Sequence, residues 1–165
     1  MEPPVAGLVL LDPASLADLS RQARSHPRRR LNRNLHAMED RVHRLLNAVE
    51  PGSYVRPHRH LEPARTETAV AVRGRLGLLV FDDGGEVVRR CELAPLDGAA
   101  VAEIGPAVWH SFVALEPGTV FFEVKEGPYV RPGPSDLAGW APAEGEAEAS
   151  ERERGWRDLF RANRV

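Results

Sequence analysis

The stretch Gly52-Ser53-Tyr54-Val55-Arg56-Pro57-His58-Arg59-His60 carries two histidines separated by one residue. Side chains at positions i and i+2 point to the same face of a strand, whereas on a helix they lie about 200° apart around the axis. Glu67 follows seven residues later, and His110 lies far along the chain. Imidazole nitrogens with one carboxylate oxygen suit iron, zinc, manganese or nickel better than calcium. The pattern therefore predicts that His58, His60, Glu67 and His110 bind one divalent transition-metal ion (Fe, Zn, Mn or Ni).

The composition is that of an ordinary globular domain. The chain has 165 residues, of which 42% are hydrophobic and 28% charged, and its formal net charge is −2. These values predict a single domain and give no reason to expect nucleic acid or a membrane as a partner. We see no signal peptide or membrane-spanning run, and the single cysteine, Cys91, excludes an internal disulfide, so we expect a cytoplasmic protein. Arginine outnumbers lysine 21 to 1, which is typical of a bacterial coding bias.

From residue 54 onwards the sequence predicts a series of β-strands, with glycine, proline and aspartate at the turns between them. A strand that carries Asn32 to His36 comes earlier, and a helical turn over residues 38–44 leads into another strand at 45–49. Strands at this spacing are typical of a β-sandwich or barrel. The predicted later strands are 54–60, 66–73, 75–82, 86–93, 99–104, 109–114 and 119–125.

Apart from the turn at 38–44, helical segments are expected near the two ends of the chain. Asp12 and Pro13 predict a helix start, and Pro27 predicts its end near residue 26; residues 5–11 favour a short edge strand before it. The stretch 142–154 is rich in alanine and glutamate and predicts a linker or disordered segment. A short terminal helix carrying Trp156, Leu159 and Phe160 follows. We therefore expect one domain over 1–142, with an arm at 1–30 and a barrel at 31–130, and an acidic, partly helical tail at 143–165.

A His-x-His pair alone is more often a solvated strand end than a ligand pair, but longer motifs surround this one. Gly52, the histidine pair, Glu67 and Gly74 resemble the first sequence motif of the cupin superfamily, and residues 105–110 resemble the second more weakly. Over about Leu31 to Pro142 the chain resembles the WbuC family of cupin-fold metalloproteins. The segments that carry this resemblance are Asn32-Arg33-Asn34-Leu35-His36, Pro51 to His60, Phe81-Asp82-Asp83, Trp109-His110-Ser111-Phe112, Phe121 to Tyr129 and Trp140-Ala141-Pro142.

The resemblance implies a mainly β fold, a cupin double-stranded β-helix or jelly-roll barrel with a short N-terminal helix and a short C-terminal helical tail. Two features depart from the usual cupin pattern: six residues separate His60 from Glu67, and Gly105 and Ala107 replace an expected proline and glycine. A wider hairpin or bulge absorbs the extra residues. In such a barrel Ala69 and Ala71 face inward with Glu67, and their small size leaves room for a ligand.

Several further residues are candidates for proton transfer or substrate binding next to the metal ion. Tyr54, His36 and Glu123 are candidates for proton transfer, and Asn34, Arg56, Phe112 and Tyr129 for substrate binding. For three sets of polar residues the sequence allows two interpretations each. Asn32, Asn34 and His36 either line the cavity or form a hydrogen-bonded strand end; Glu123 and Lys125 either reach into the pocket or pair on the surface; Arg28, Arg29 and Arg30 either bind an anionic substrate or pair with the acidic tail.

These features favour a metal-dependent enzyme that acts on a small polar or sugar-derived substrate, with anionic substrates included, by isomerase, epimerase or lyase chemistry. WbuC-type proteins are often associated with O-antigen and surface-polysaccharide gene clusters, which links the resemblance to such substrates. An iron-dependent dioxygenase and a non-catalytic ligand-binding or sensing protein are the alternatives. Exposed strand edges in cupin-like domains also lead us to expect a homodimer.

Overall fold

A computed structural model of the protein describes residues 7–161. It is mainly β, with one helix near each end of the chain. In chain order the elements are α1 (Pro13–Ser25), β1 (Arg30–Asn34), β2 (Val42–Val49), β3 (Glu67–Arg73), β4 (Leu76–Phe81), β5 (Val87–Leu93), β6 (Val101–Ile104), β7 (Trp109–Ala114), β8 (Thr119–Glu126), a short 3-10 helix (Pro134–Asp136) and α2 (Ala147–Arg161).

Two antiparallel sheets face each other and enclose the core. One has five strands in the order β1-β2-β8-β3-β6, and the other has three in the order β5-β4-β7. Alternate residues of each strand point between the sheets, so that Ala69 and Phe121 of one sheet meet Leu78 and Phe112 of the other. This arrangement confirms the predicted jelly-roll class of fold.

Helix α1 covers the outer face of the five-stranded sheet. The Asp12 carboxylate caps it by accepting the Ser15 N–H at 2.8 Å, and Pro13 occupies its first turn. Leu19 and Ala23 are buried on β2 and β8. The helix predicted from Asp12 and Pro13 is confirmed.

Helix α2 covers the outer face of the three-stranded sheet. Trp156 and Phe160 pack with Leu79 and Phe81 of β4, and a Cβ on Gly77 would lie 2.7 Å from the Phe160 ring. The terminal helix is confirmed, but the predicted linker is wrong over 147–154. That stretch is helical because Ala149 shares the buried face of α2 with Trp156.

Three other local predictions are wrong. Residues 54–60 are extended but form no regular strand; only His58 makes a β-bridge there. Residues 38–44 form a turn followed by the start of β2, not a helical turn. Residues 7–11 are not in a strand, and positions 5 and 6 of that prediction lie outside the described residues. None of the helices within residues 7–161 has the length and apolarity needed to span a membrane.

Candidate metal centre

Four side chains from three parts of the chain converge between the two sheets. Glu67 is the first residue of β3 and His110 the second residue of β7, while His58 and His60 lie on the extended segment that precedes β3. One ligand atom from each of the four lies within 4.8 Å of the others. The structure thus brings together the four residues that the sequence pattern singled out.

Backbone hydrogen bonds on both sides hold the segment that carries His58 and His60. On one side the His58 N–H donates to the His110 carbonyl at 3.0 Å, and the His110 N–H donates back at 2.9 Å. On the other side the Arg59 N–H donates to the Asp136 carbonyl at 2.9 Å, and the Ala138 N–H donates to the Pro57 carbonyl at 3.0 Å. Because Pro57 has no N–H to donate, the segment stays extended without joining a regular ladder.

Two of the imidazole rings are oriented by carbonyl groups. Nδ1 of His58 lies 3.1 Å from the Arg56 carbonyl, and Nδ1 of His110 lies 2.9 Å from the Val108 carbonyl. A carbonyl only accepts, so each Nδ1 carries the proton and each Nε2 keeps its lone pair. Nε2 of His110 is buried and has no hydrogen-bond partner within the described part of the chain. A buried lone pair of this kind is costly unless something binds it, and a metal ion fits the position.

The Glu67 carboxylate lies at the centre of the cluster. It is 1% exposed, and its Oε2 is 2.8 Å from Nε2 of His60 and 3.9 Å from Nε2 of His110. Burial by itself raises the pKa of Glu67, but the His110 and His60 rings and the Lys125 ammonium outweigh it and hold that pKa well below its ordinary value. Desolvation, helped by the nearby His110 ring, lowers the pKa of His58 to about 3. An ionised carboxylate and a neutral imidazole are the forms that metal binding requires.

A second set of buried polar groups continues from Glu67 along the inner face of the five-stranded sheet. The Lys125 ammonium lies 2.6 Å from Oε1 of Glu123 and 3.9 Å from Oε2 of Glu67. The Asn47 amide donates to the other oxygen of Glu123 at 2.8 Å. Burial and the negative charge of Glu67 raise the pKa of Glu123, whereas for Lys125 burial is outweighed and the two glutamates raise its pKa. Glu123 is 7% exposed, so the interpretation of this pair as a surface pair is wrong.

A family model described as "Domain of unknown function (DUF6016)" matches residues 11–93. The chain belongs to this family. The matched region includes His58, His60 and Glu67 but not His110. No curated protein matches the sequence.

This DUF6016 protein is similar in fold to solved structures that include cupins. KdgF from a Halomonas species aligns with 64% of this chain and 84% of its own, with 17% identity and a TM-score of 0.50. A cupin superfamily protein from Desulfitobacterium hafniense DCB-2 aligns with 59% of this chain and 76% of its own, with 16% identity and a TM-score of 0.46. At 17% identity the KdgF comparison supports the fold alone, which is a jelly roll.

Of the predicted proton-transfer residues, the structure puts only Glu123 beside the four-residue cluster. The Tyr54 ring stacks on Trp156 with centroids 5.6 Å apart, and its hydroxyl donates to the Pro142 carbonyl at 2.8 Å. Burial raises the pKa of Tyr54 to about 12, which keeps the hydroxyl protonated. Tyr54 therefore belongs to the packing of α2 on the three-stranded sheet and is not among the four clustered residues.

His36 is separated from the cluster by another histidine. Its Nδ1 accepts the Arg44 N–H at 3.0 Å, and its ring stacks on that of His43 with centroids 4.1 Å apart. His43 is in turn paired with Lys125 across β2 and β8. The structure therefore places His36 against His43 and Arg44, and not among the four clustered residues.

The four predicted substrate-binding residues have different surroundings. Phe112 lies under the cluster, with its ring centroid 5.8 Å from that of His110. Asn34 is exposed on edge strand β1 and accepts from the Asn32 amide at 2.6 Å. The Arg56 guanidinium donates twice to the Ala138 carbonyl, at 3.1 and 2.7 Å, so it anchors the chain and is not free for a substrate. Tyr129 is 51% exposed.

Two further expectations are resolved by packing. Ala69 and Ala71 face inward as predicted, but Phe112 and Phe121 fill the space beside them, so no room for a ligand is left there. Arg28 and Arg30 form ion pairs with Glu144 at 2.7 and 2.8 Å, which supports pairing with the acidic tail.

Sequence reasoning missed two buried basic residues near the cluster. His43 is 2% exposed, because it alternates with Leu45 and Asn47 on the inner face of β2. Arg65 is 6% exposed and lines a small pocket together with His60. Strand alternation would have revealed His43 once β2 was extended to Val42, whereas no sequence signal pointed to Arg65.

Proposed function

We propose that this protein is a metal-dependent enzyme that acts on a small polar or sugar-derived substrate by isomerase, epimerase or lyase chemistry. Its resemblance to WbuC-type cupins, and the association of that family with surface-polysaccharide gene clusters, support a sugar-derived substrate. The four-residue cluster supports a resident metal, since its donor atoms and protonation states are those of a transition-metal site.

One observation carries the enzymatic part of the proposal: the buried Glu123 carboxylate lies beside Glu67 and forms an ion pair with the partly buried Lys125. Burying charged groups costs several kcal/mol per ion, at order of magnitude, and packing alone does not require them. The neighbouring inward positions on β3, Ala69 and Ala71, are apolar and well packed. We infer that the pair is retained for chemistry beside the metal.

Each group has a distinct part in this proposal. His58, His60, Glu67 and His110 would hold the ion, which supplies Lewis-acid polarisation of a carbonyl or hydroxyl oxygen. Glu123 exchanges a proton with the substrate, since its Oε1 lies only 2.6 Å from a donor that can compensate its charge. Lys125 positions both glutamates, and the Asn47 amide fixes the second oxygen of Glu123.

Hydrogen–deuterium exchange at substrate carbon tests the proposal. Isomerases, epimerases and many lyases remove a proton next to a carbonyl, so metal-loaded protein in D2O should place deuterium on at least one member of a panel of small aldoses, ketoses and sugar acids. We expect Glu123→Gln to lose this exchange by about 100-fold or more while it keeps its metal. Glu103→Gln, an exposed glutamate on β6, is the matched control and should behave as wild type.

Other outcomes would point elsewhere. Metal-loaded protein that exchanges no substrate hydrogen but consumes oxygen with iron bound would replace the proposal by a dioxygenase. Bound metal with neither reaction would leave a ligand-binding or sensing protein.

We also propose that the protein is a homodimer. Strands β1 and β6 are the two edges of the five-stranded sheet, and Val42, Val72 and Val101 are exposed on it. Exposed apolar residues and strand edges favour association between copies. Light scattering coupled to size-exclusion chromatography should give twice the chain mass of 18.2 kDa; a monomer at micromolar concentration would contradict the proposal.

A further inference from the structure

We propose that Arg65 binds a carboxylate group of the substrate at the His60 side of the metal cluster. The inference rests on the proposed function and narrows its substrate class to carboxylic acids. No feature of the sequence pattern assigned a role to Arg65, and the arginine predicted to bind substrate, Arg56, is held by the Ala138 carbonyl.

Arg65 is a buried cation without a counter-ion. Its residue is 6% exposed, and the hydrogen bond that its guanidinium makes runs from Nη2 to the Pro128 carbonyl at 2.7 Å. Within residues 7–161 no aspartate or glutamate forms an ion pair with it. Buried arginines are almost always paired, because an uncompensated charge away from water is costly. A guanidinium has five N–H donors, so most of those on Arg65 remain for a ligand.

The free side of Arg65 faces a pocket that it shares with a metal-ligand candidate. The pocket is also lined by His60, Val130, Pro132 and two acidic residues, and its volume is about 20 Å³. A space of this size holds one water-sized group or little more. A ligand that reaches Arg65 through it therefore lies next to His60 and within reach of the cluster.

The two acidic residues that line the pocket do not compensate Arg65. The Asp136 carboxylate accepts the Leu61 and Gly133 N–H groups, each at 3.0 Å, and these backbone bonds help to hold its pKa below the ordinary value despite burial. The Glu62 side chain is on the exposed loop and makes no ion pair with Arg65. The position opposite the guanidinium is thus open to an external anion.

A carboxylate suits this position better than a larger anion. A planar guanidinium binds a planar carboxylate through two parallel hydrogen bonds, and such charge-assisted pairs are about twice as strong as neutral ones. A second oxygen on the adjacent carbon of the same ligand would then face the cluster, which describes a 2-hydroxy or 2-oxo acid.

Lactate and lactamide form the matched pair of probes, since they share their shape and differ in charge. Calorimetric titration of each into nickel-loaded protein should show binding of lactate and at least about tenfold weaker binding of lactamide. Arg65→Gln should weaken lactate binding by about tenfold or more. Arg65→Lys should weaken it by less, because lysine keeps the positive charge but cannot donate two parallel hydrogen bonds to a carboxylate. Arg33→Gln, an exposed arginine on β1, is the control and should bind lactate as wild type does.

Metal content and thermal melting of the same samples distinguish a wrong assignment of Arg65 from a loss of folding and from the absence of a metal. Loss of an unpaired buried charge should leave the ligand-free Arg65→Gln protein as stable as wild type, so strong destabilisation would indicate a structural arginine and overturn the inference. Lactate binding that is unchanged in metal-containing Arg65→Gln, or equal to lactamide binding, would also overturn it. Tighter binding of inorganic phosphate than of lactate would overturn the carboxylate assignment. Absence of metal, with lactate binding still dependent on Arg65, would refute the proposed metalloenzyme but not this site.

Discussion

His58 and His110 exchange backbone hydrogen bonds in both directions, at 3.0 and 2.9 Å. This bridge joins the extended segment before β3 to β7, so two of the four candidate ligands are positioned by the backbone itself. Their ring centroids lie 4.4 Å apart. The site is therefore preorganised by the barrel, and we expect the fold to persist without metal.

Asp136 should matter for metal affinity although it is not a ligand. Its carboxylate accepts the Leu61 N–H and its carbonyl accepts the Arg59 N–H, so it holds both residues that flank His60. Asp136→Ala keeps the backbone carbonyl but removes the carboxylate that holds Leu61, so we expect it to weaken metal binding by about 10-fold to 100-fold, as for other groups that orient metal ligands. Chelator competition measures the affinity, and Ser135→Ala is the exposed control. Equal affinities for the two variants would contradict this account of the loop.

The packing of α2 leaves no space beside Gly77. A Cβ there would lie 2.7 Å from the Phe160 ring and 2.8 Å from Val113. Gly77→Ala should therefore lower the free energy of unfolding by about 1–3 kcal/mol. A Cβ on Gly155, which lies within α2, would meet open space, and Gly155→Ala should raise the same free energy by about 0.5–1 kcal/mol. Urea unfolding measures both; a neutral Gly77→Ala would show that α2 does not pack as described.

Phe160 should be the main anchor of α2. Its side chain is buried among Leu79, Val113 and Trp156. Phe160→Ala should lower the free energy of unfolding by about 3–5 kcal/mol, as truncation of a buried aromatic usually does. Arg161→Ala, at the neighbouring exposed position, should change it by less than about 0.5 kcal/mol. Similar values for the two variants would mean that the helix adds little to the fold.

The tail pairing through Glu144 should make stability depend on pH. Burial raises the pKa of Glu144, but Arg30 and Arg28 outweigh it and hold that pKa below its ordinary value of 4.5. A carboxylate with a lowered pKa in the folded state adds stability above its unfolded pKa and loses it as pH falls through the folded value. Glu144→Gln should therefore lower the free energy of unfolding by about 0.5 kcal/mol at pH 7, because the pair is partly exposed. The difference should disappear once the pH falls below the lowered pKa of Glu144, and it should shrink in high salt; a constant difference would contradict the assignment.

Features of the fold that depend on local sequence were predicted correctly, whereas features that depend on contacts between distant residues were not. Strand alternation and turn residues are local, so they predicted a strand at each of the eight places where one lies within residues 7–161, and they brought His58, His60 and Glu67 to one region. The place of Tyr54 could not be predicted, because it depends on contacts with Trp156 and Pro142, which lie 102 and 88 residues further along the chain. The burial of Arg65 likewise depends on the loop around Pro128. Contacts of that kind have no periodic signature in the sequence.

Metal stoichiometry tests the central claim most directly. Protein stripped of metal and dialysed separately against Fe²⁺, Zn²⁺, Mn²⁺ and Ni²⁺ should retain about one equivalent per chain of at least one metal, measured by inductively coupled plasma mass spectrometry. Glu67→Gln and His110→Ala should retain almost none while their circular dichroism stays that of a folded barrel, and His36→Ala should retain as much as wild type. Wild-type protein that holds no metal under any of these conditions, or variants that hold as much as wild type, would contradict the claim that His58, His60, Glu67 and His110 form a metal site.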